Sequence, residues 1–484
     1  MEGKDNSLPV LAPTGERLSF IICRNSQGVE LRGTLHRLTR YLGVFEVYNP
    51  YSIVQLSEVL HDFRIMMNDR VIYSGRAVIA NLVNTGIMLI CEASLADEGW
   101  IDVDILSPAQ NKNRLLQDFD EFLKETEKNY HVLPDFKLVV ADMHTLLSDL
   151  HRWMEQVELG VRSLPSGDRI QAERETIKEL EGPILPAVVP LMSRFESTSN
   201  SIPTEQIPVH RSYVKRQLHP LVLCSPFCYR TYQKPLGYAG DYEMVSMMLR
   251  DPYEGSSMFA KILNRMFLET GPVIAHRNRI TYLVERLREE TTRIASKGGV
   301  ARIFNLGCGP AQEVQRFLSE SDLCDNVDMI LLDFNDETIT NTGRDLESLR
   351  TRHRRRTGIR FQKRSVHQIL KESARAGAGF EVGSYDFVYC AGLFDYLSDR
   401  ICRRLLEVFY ELLAPGGLLV ATNVDISNPS RNWMEYVVDW HLVYRSQEGF
   451  LKLAPDKADP AACTVKADPT GVNIYLEVRK PDNA

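Results

Sequence analysis

The stretch ARIFNLGCGPA at residues 301–311 constrains this 484-residue chain more than any other. Ile303–Leu306 is an apolar run suited to a strand. Gly307, Gly309 and Ala311 form a small-residue turn, and Gln312–Leu318 has helical character. A strand feeding a glycine turn and then a helix lets backbone approach a nucleoside closely, because glycine reaches positive φ and carries no Cβ. Such units place an acid about 20 residues further on, at the end of the next strand, where it grips ribose hydroxyls. Met329–Leu332 reads as that strand and Asp333 as that acid. A dinucleotide fingerprint needs a further glycine at the position that Gln312 occupies, so the turn is of another kind.

Downstream, Tyr385–Cys390 reads as a strand that leads through AGLFDYLSD into a helix from about Arg400 to Leu413. Pro415, Gly416 and Gly417 read as a turn entering another buried strand. Cys463–Lys466 and Val472–Val478 read as a hairpin joined by Asp-Pro-Thr-Gly at 468–471. A parallel α/β sheet closed by an antiparallel hairpin departs from the dinucleotide sheet. Residues 301–480 therefore resemble the class I S-adenosylmethionine (SAM) dependent methyltransferases, whose Rossmann-like seven-stranded sheet has a reversed last strand. The resemblance implies that Gly307, Gly309 and Ala311 meet the methionine part of SAM, that Asp333 holds the ribose, and that Phe334 flanks the adenine. Ser365 and Val366 fall where the family carries an adenine-side acid, and Asn305 replaces the acid that opens its first motif. Ala391, just past the 385–390 strand, completes the implied cofactor set. The alternative is a NAD enzyme or an inactive Rossmann domain.

Length allows two to four domains. A hydrophobic content of 44%, a charged content of 25% and a net charge of −7 suit a globular protein and argue against nucleic acid or an anionic membrane as partner. No apolar run reaches the length of a membrane span, and the first residues lack a signal-peptide pattern, which reads as cytoplasmic. The nine scattered cysteines read as reduced thiols, and Cys224 and Cys228 have no second pair to complete a zinc site, so no metal is expected.

Four segments are expected. Residues 1–110 hold short strands with regular turns, which suggests a small β-barrel. Ser57–Trp100 resembles a PilZ-type barrel, a fold that often binds cyclic di-GMP. With Gly43 as the motif glycine, however, Leu38 and Arg40 stand at the Asp/Asn and Ser positions, so the barrel is degenerate and is expected to bind no cyclic di-GMP. Arg32, His36, Arg37 and Arg40 are either an anion site or a solvated edge. Residues 111–200 turn helical: a first helix spans NRLLQDFDEFLKETEKNY, and a second carries Val139, Met143, Leu146, Leu147, Leu150 and Trp153 on one amphipathic face. They read as a linker or a dimerising bundle, and a homodimer stays open. Residues 201–295 read as a helical cap, and 296–484 as the SAM-binding domain. The basic run Arg352–Arg356 reads as a solvated loop.

Within the cap, KPLGYAGDYEMV (Lys234–Val245) breaks helical pattern with Gly237 and Gly240 and flanks Asp241 with two tyrosines. It is either a packed inter-domain loop or a lid on which Tyr238, Asp241 and Tyr242 face the sulfonium or the substrate, since rings and carboxylates stabilise cations. GYAGDY ahead of NLGCGPAQE, LLDFND and AGLFDYL makes residues 110–480 resemble the bacterial family named for synthesis of the extracellular factor 3-hydroxypalmitic acid methyl ester. That resemblance implies methylation of a fatty acyl carboxylate, a small-molecule substrate, to give a quorum signal. A carboxylate acceptor needs no base, only cations or donors to hold it and an apolar tunnel for its chain. Tyr238, Asp241 and Arg279 are the catalytic candidates, with Arg277 beside Arg279. Trp433–Tyr444 either covers the acceptor or is a core helix. Two alternatives stand: a methyltransferase for an amine or hydroxyl, with Asp241 or His441 as base, and a SAM-binding signalling module without turnover.

Overall fold

The computed structural model describes residues 19–24, 30–48, 54, 59–67, 70–84, 88–101, 119–120, 132–236, 238, 240–373 and 381–482. Residues 1–129 and 130–484 are separate compact units.

In the first unit six antiparallel strands close a barrel in the order β1-β2-β3-β6-β5-β4. They are β1 (Phe20–Arg24), β2 (Glu30–Leu38), β3 (Leu42–Tyr48), β4 (Val59–Met67), β5 (Arg70–Asn84) and β6 (Met88–Leu95). Alternating apolar residues point inward, and a small barrel is just wide enough for side chains to fill. Phe45 and Phe63 lie 5.5 Å apart by ring centroid, and Phe63 and Tyr73 6.1 Å. The Tyr73 hydroxyl donates to the Arg76 carbonyl and accepts from the Ala96 amide, which satisfies a polar tip in an apolar interior. Of the basic cluster, Arg32 lies 4.3 Å over the Phe20 ring and His36 is 3.0 Å from Glu46, so both meet partners within the barrel.

The second unit opens with helices α1 (Pro134–Arg162), α2 (Arg169–Ser199), α3 (Ile207–Val222), α4 (Pro226–Gln233), α5 (Tyr242–Met247), α6 (Met258–Phe267) and α7 (Gly271–Ala295). The first helix expected in the middle segment lies outside the described residues apart from 119–120. Along α1 the buried face runs through Phe136, Val139, Val140, Met143, Leu147 and Met154. Trp153, expected on that face, points outward at 46% exposure. Two full turns beyond Leu147 fall on Met154, and its neighbour is rotated about 100° away. The helices of 111–200 and 201–295 share one apolar core, including Phe136, Phe195, Val214, Phe227 and Phe259, which Trp433 and Tyr436 also enter. The 433–444 segment is thus partly a core element.

The rest of the unit is α/β: β7 (Ala301–Leu306), α8 (Gln312–Glu320), β8 (Val327–Asp333), α9 (Asp336–His353), β9 (Gly358–Lys363), α10 (Val366–Ser373), β10 (Tyr385–Cys390), α11 (Asp399–Leu412), β11 (Leu413–Val424), α12 (Arg431–Tyr436), α13 (Gln447–Leu451), β12 (Cys463–Ala467) and β13 (Asn473–Arg479). The sheet order is β12-β13-β11-β10-β7-β8-β9; β7 to β11 are parallel and β13 is antiparallel to both its neighbours. This is the Rossmann-like seven-stranded sheet with one reversed strand that the sequence leads one to expect. The Pro415–Gly417 turn is instead a bulge within β11: pairing runs from Tyr385–Leu413 to Phe387–Leu418, and Gly416 at φ 72° lets the extra residues loop out. The basic run at 352–356 is solvent-exposed at Arg352, Arg354 and Arg356, as expected, but it starts within α9 and is anchored at Arg355. Arg355 donates to the Leu318 carbonyl at the end of α8 and pairs with Asp322, so it satisfies a helix-terminal carbonyl. Among the described residues no helix is long and apolar enough to cross a membrane.

The chain moves outward from β7 through β8 to β9, then returns to place β10 on the other side of β7. At such a reversal the two following loops part, and a crevice opens at the carboxyl ends of the strands.

Candidate functional site

A cavity of about 390 Å³ fills that crevice. Its floor is the glycine turn. Gly307 (φ 73°), Gly309 (φ 49°) and Ala311 (φ 47°) all lie in the left-handed region. A Cβ added at Gly309 would point into open space, so the turn leaves a cradle. The Gly307 and Cys308 amides donate to the Leu332 carbonyl, which ties the turn to β8. Asp333, buried at the end of β8, accepts from the Gly309 amide at 3.2 Å and from the Asn335 amide at 3.0 Å; burial raises its pKa above the ordinary carboxylate value. Asn305 is buried beneath the turn. Its amide donates to the Tyr389 carbonyl, while its Oδ1 is buried without a hydrogen-bond partner, in a residue that lines the cavity. An orphaned acceptor in a buried wall is costly unless a ligand donates to it.

The ends of the other strands close the sides. Phe334, Ser365, Val366 and Ala391, the residues expected there, line the cavity, and Arg364 joins them. From the cap, Tyr238 packs its ring 5.2 Å from Phe334, and burial next to Asp333 raises the pKa of its hydroxyl. The Tyr242 hydroxyl donates to Glu337 and accepts from Asn341, which docks the loop on α9. Gly240 has φ 78°, and a Cβ there would stand 2.7 Å from the Tyr396 hydroxyl, so the loop closes only with glycine.

Asp241 does not join this wall. It is buried beneath the loop, where one oxygen accepts from the Met244 amide and from Arg230 Nε at 2.8 and 2.9 Å. Its side chain is the N-cap of α5 and half of an ion pair, which leaves no lone pair of that oxygen for a ligand. Arg277 is also turned away, toward the Met248 carbonyl and Glu269, and His441 lies outside the lining.

Arg279 does reach the cavity, one turn along α7 from His276. Its guanidinium lies against Gly392, where a Cβ would approach to 2.9 Å. Arg279 Nη2 donates to His276 Nδ1 at 2.7 Å, and an arginine can only donate, so the imidazole proton sits on Nε2. Burial and the neighbouring Arg279 hold His276 neutral, its pKa well below the ordinary value, and Nε2 has no partner. Asp395 faces the same space. It accepts from the Val424 amide at 2.7 Å, and burial pushes its carboxyl up to about 6 against the pull of Arg279. Glu313, also buried in the wall, accepts from the Tyr389 hydroxyl at 2.8 Å.

His276, Glu313, Asp395 and Asn473 are among the lining residues that the sequence did not single out. The i, i+3 spacing of His276 and Arg279 on one helix face was a usable signal, as was the position of Asp395 just past a parallel strand. Asn473, which lines the cavity from β13, carried no local signal.

No family model and no curated protein matches the chain. Among solved structures, the chain is similar to a possible exported protein from Bordetella parapertussis, at 15% identity over 62% of this chain and 97% of that one, with a TM-score of 0.38. It is similar also to magnesium protoporphyrin IX methyltransferase from Synechocystis with bound S-adenosylhomocysteine (SAH), at 10% identity, 43% and 84% coverage and TM-score 0.31. An N-methyltransferase from Bradyrhizobium japonicum in complex with SAH matches at 16% identity, 52% and 99% coverage and TM-score 0.30.

Proposed function

We propose that the second unit is a SAM-dependent methyltransferase that esterifies the carboxylate of a long-chain acyl acceptor, a 3-hydroxy fatty acid in the sense of the sequence resemblance. The observation that carries the reading is the cavity at the β7/β10 reversal, whose wall combines a glycine cradle, the strand-end acid Asp333 and Arg279. The residues fit the cofactor: Asn305 Oδ1 is an unmatched acceptor, Gly309 leaves open space, and Asp333 and Phe334 line the cavity next to the turn, which supports their reading as ribose and adenine contacts. When bound, SAM supplies a methyl group on a sulfonium, an electrophile with a good leaving group already in place.

The chain's own residues then have three tasks. Asn305 and Asp333 orient the cofactor, and Tyr238 with Phe334 covers its base and excludes water. Arg279, braced by His276, holds and aligns the acceptor oxygen. Met244, Val245, Met248, Met434, Trp440 and Leu442 supply an apolar wall for the acceptor's body. One observation favours a second reading: Asp395 offers a buried carboxylate that could take a proton from a hydroxyl or amine acceptor.

Asp333→Ala is expected to weaken SAM binding by about 1–3 kcal/mol, because ribose hydroxyls lose a charged acceptor. Calorimetry with SAM checks this, alongside an apo melting curve, since Asp333 also ties the glycine turn to the loop after β8. Unchanged affinity would remove Asp333 from the site. The function itself is tested by incubating the protein with labelled SAM and a panel of 3-hydroxy and unsubstituted fatty acids, fatty alcohols and amines. Label in acid methyl esters is the expected result.

A further inference from the structure

Behind the acceptor wall lies a second, smaller cavity of about 30 Å³. It shares Pro272, Met434 and Trp440 with the main cavity, so these three side chains form the partition between the two. Beyond the partition the walls are Phe227, Phe267, Val273, Trp433 and Val438, all buried in the helical core. Two of its hydroxyls are spent on backbone: Thr231 donates to the Phe227 carbonyl and Thr270 to the Phe267 carbonyl, and the Cys228 thiol and Ser430 hydroxyl complete the polar part of the lining. No charged side chain lines it, so it suits saturated hydrocarbon better than a charged ligand.

The partition is also its most adaptable part. Methionine is unbranched and fills irregular gaps by rotation, whereas Pro272 is fixed in the first turn of α7 and Trp440 is held by its Nε1–H bond to the Tyr396 hydroxyl at 2.9 Å. Met434 is held more weakly, by a bond from the Asn428 amide to its sulfur at 3.3 Å. A side chain in this state can swing aside and join the two spaces.

We propose that the alkyl chain of the acceptor passes Met434 into this second chamber, and that Met434 and the chamber's depth set the chain length that is accepted. The proposal rests on the acyl-acceptor reading above. Each methylene that enters such a chamber tightens binding roughly fourfold, so affinity climbs with chain length and stops where the chamber ends.

The test is calorimetric titration of the full-length protein, saturated with SAH, with straight-chain acids of increasing length. Met434→Ala widens the passage and is expected to move the length at which affinity levels off upward. Val273→Phe fills the chamber and is expected to move it downward. Retained SAH binding certifies that each variant is folded, and Phe227→Leu, which enlarges the chamber, replaces Val273→Phe if the latter fails. A levelling-off length that is the same in all variants overturns the proposal, and so does an absence of binding by every acid. The same samples with labelled SAM separate the two readings. Length shifts in binding without methyl ester formation leave the chamber standing and remove the carboxylate acceptor.

Discussion

Asp241→Ala should destabilise the apo protein by about 3 kcal/mol, toward the lower end of the cost of breaking a buried ion pair. Asp241 is 1% exposed, and its loss strips Arg230 Nε of its partner and the first turn of α5 of its cap. The cap alone is worth about 1 kcal/mol, and a half-buried guanidinium without its carboxylate adds the remainder. Asp241→Asn keeps a capping oxygen and is expected to recover roughly the cap's share. Thermal or denaturant unfolding without ligand reads the loss directly. Kinetics per folded molecule should stay close to wild type, because the carboxylate does not line the cavity. A normal melting curve with a raised SAM dissociation constant would mean that the loop holds the sulfonium through Asp241 after all.

The contrast between Asp241 and Tyr238 shows what a sequence of this kind discloses. Glycines at 237 and 240 beside two rings and an acid mark a break in helical pattern, but they do not say which side chains turn in. That depends on Arg230, a partner on a different helix, and on the N-terminus of α5, which claims the nearest acceptor. The glycine turn and Asp333 were legible because their geometry is local: strand, turn and strand-end acid follow one another along the chain. The strands β7, β8, β10 and β11 were legible as buried apolar runs, and even the closing hairpin announced itself through its turn, whereas the half-exposed edge strand β9 gave no such run. His276, Asp395 and Asn473 were not, since they come from three elements that meet only once the sheet has reversed direction. The outward turn of Trp153 and the β11 bulge belong to the same class: residue type pointed one way, and packing or sheet register decided.

Arg279→Gln is expected to lower kcat/KM for a straight-chain acid by about a hundredfold. A charged donor to an ionised oxygen is worth about 2–5 kcal/mol when buried, and here its loss also leaves Asp395 with only the weaker pull of Arg445. Asp395 makes this cavity sensitive to pH, and the sign of the effect identifies the acceptor. Its carboxyl titrates near 6 in the folded protein, above the ordinary value, because burial penalises the charge. The folded state therefore holds a proton that the unfolded chain has released, so Asp395 subtracts stability as pH rises from about 4 to 6 and stays at its full cost above that. For a carboxylate acceptor, protonated Asp395 is a donor and ionised Asp395 a rival for Arg279. Its kcat/KM should then fall as pH passes 6, and Asp395→Asn should flatten the profile. For a hydroxyl or amine acceptor the ionised form is the base, so the rate should rise through the same pH and collapse in the asparagine variant. The carboxylate reading expects the falling limb. A profile that rises through pH 6 and depends on Asp395 would hand the site to the second reading, with Asp395 as the group that accepts the proton.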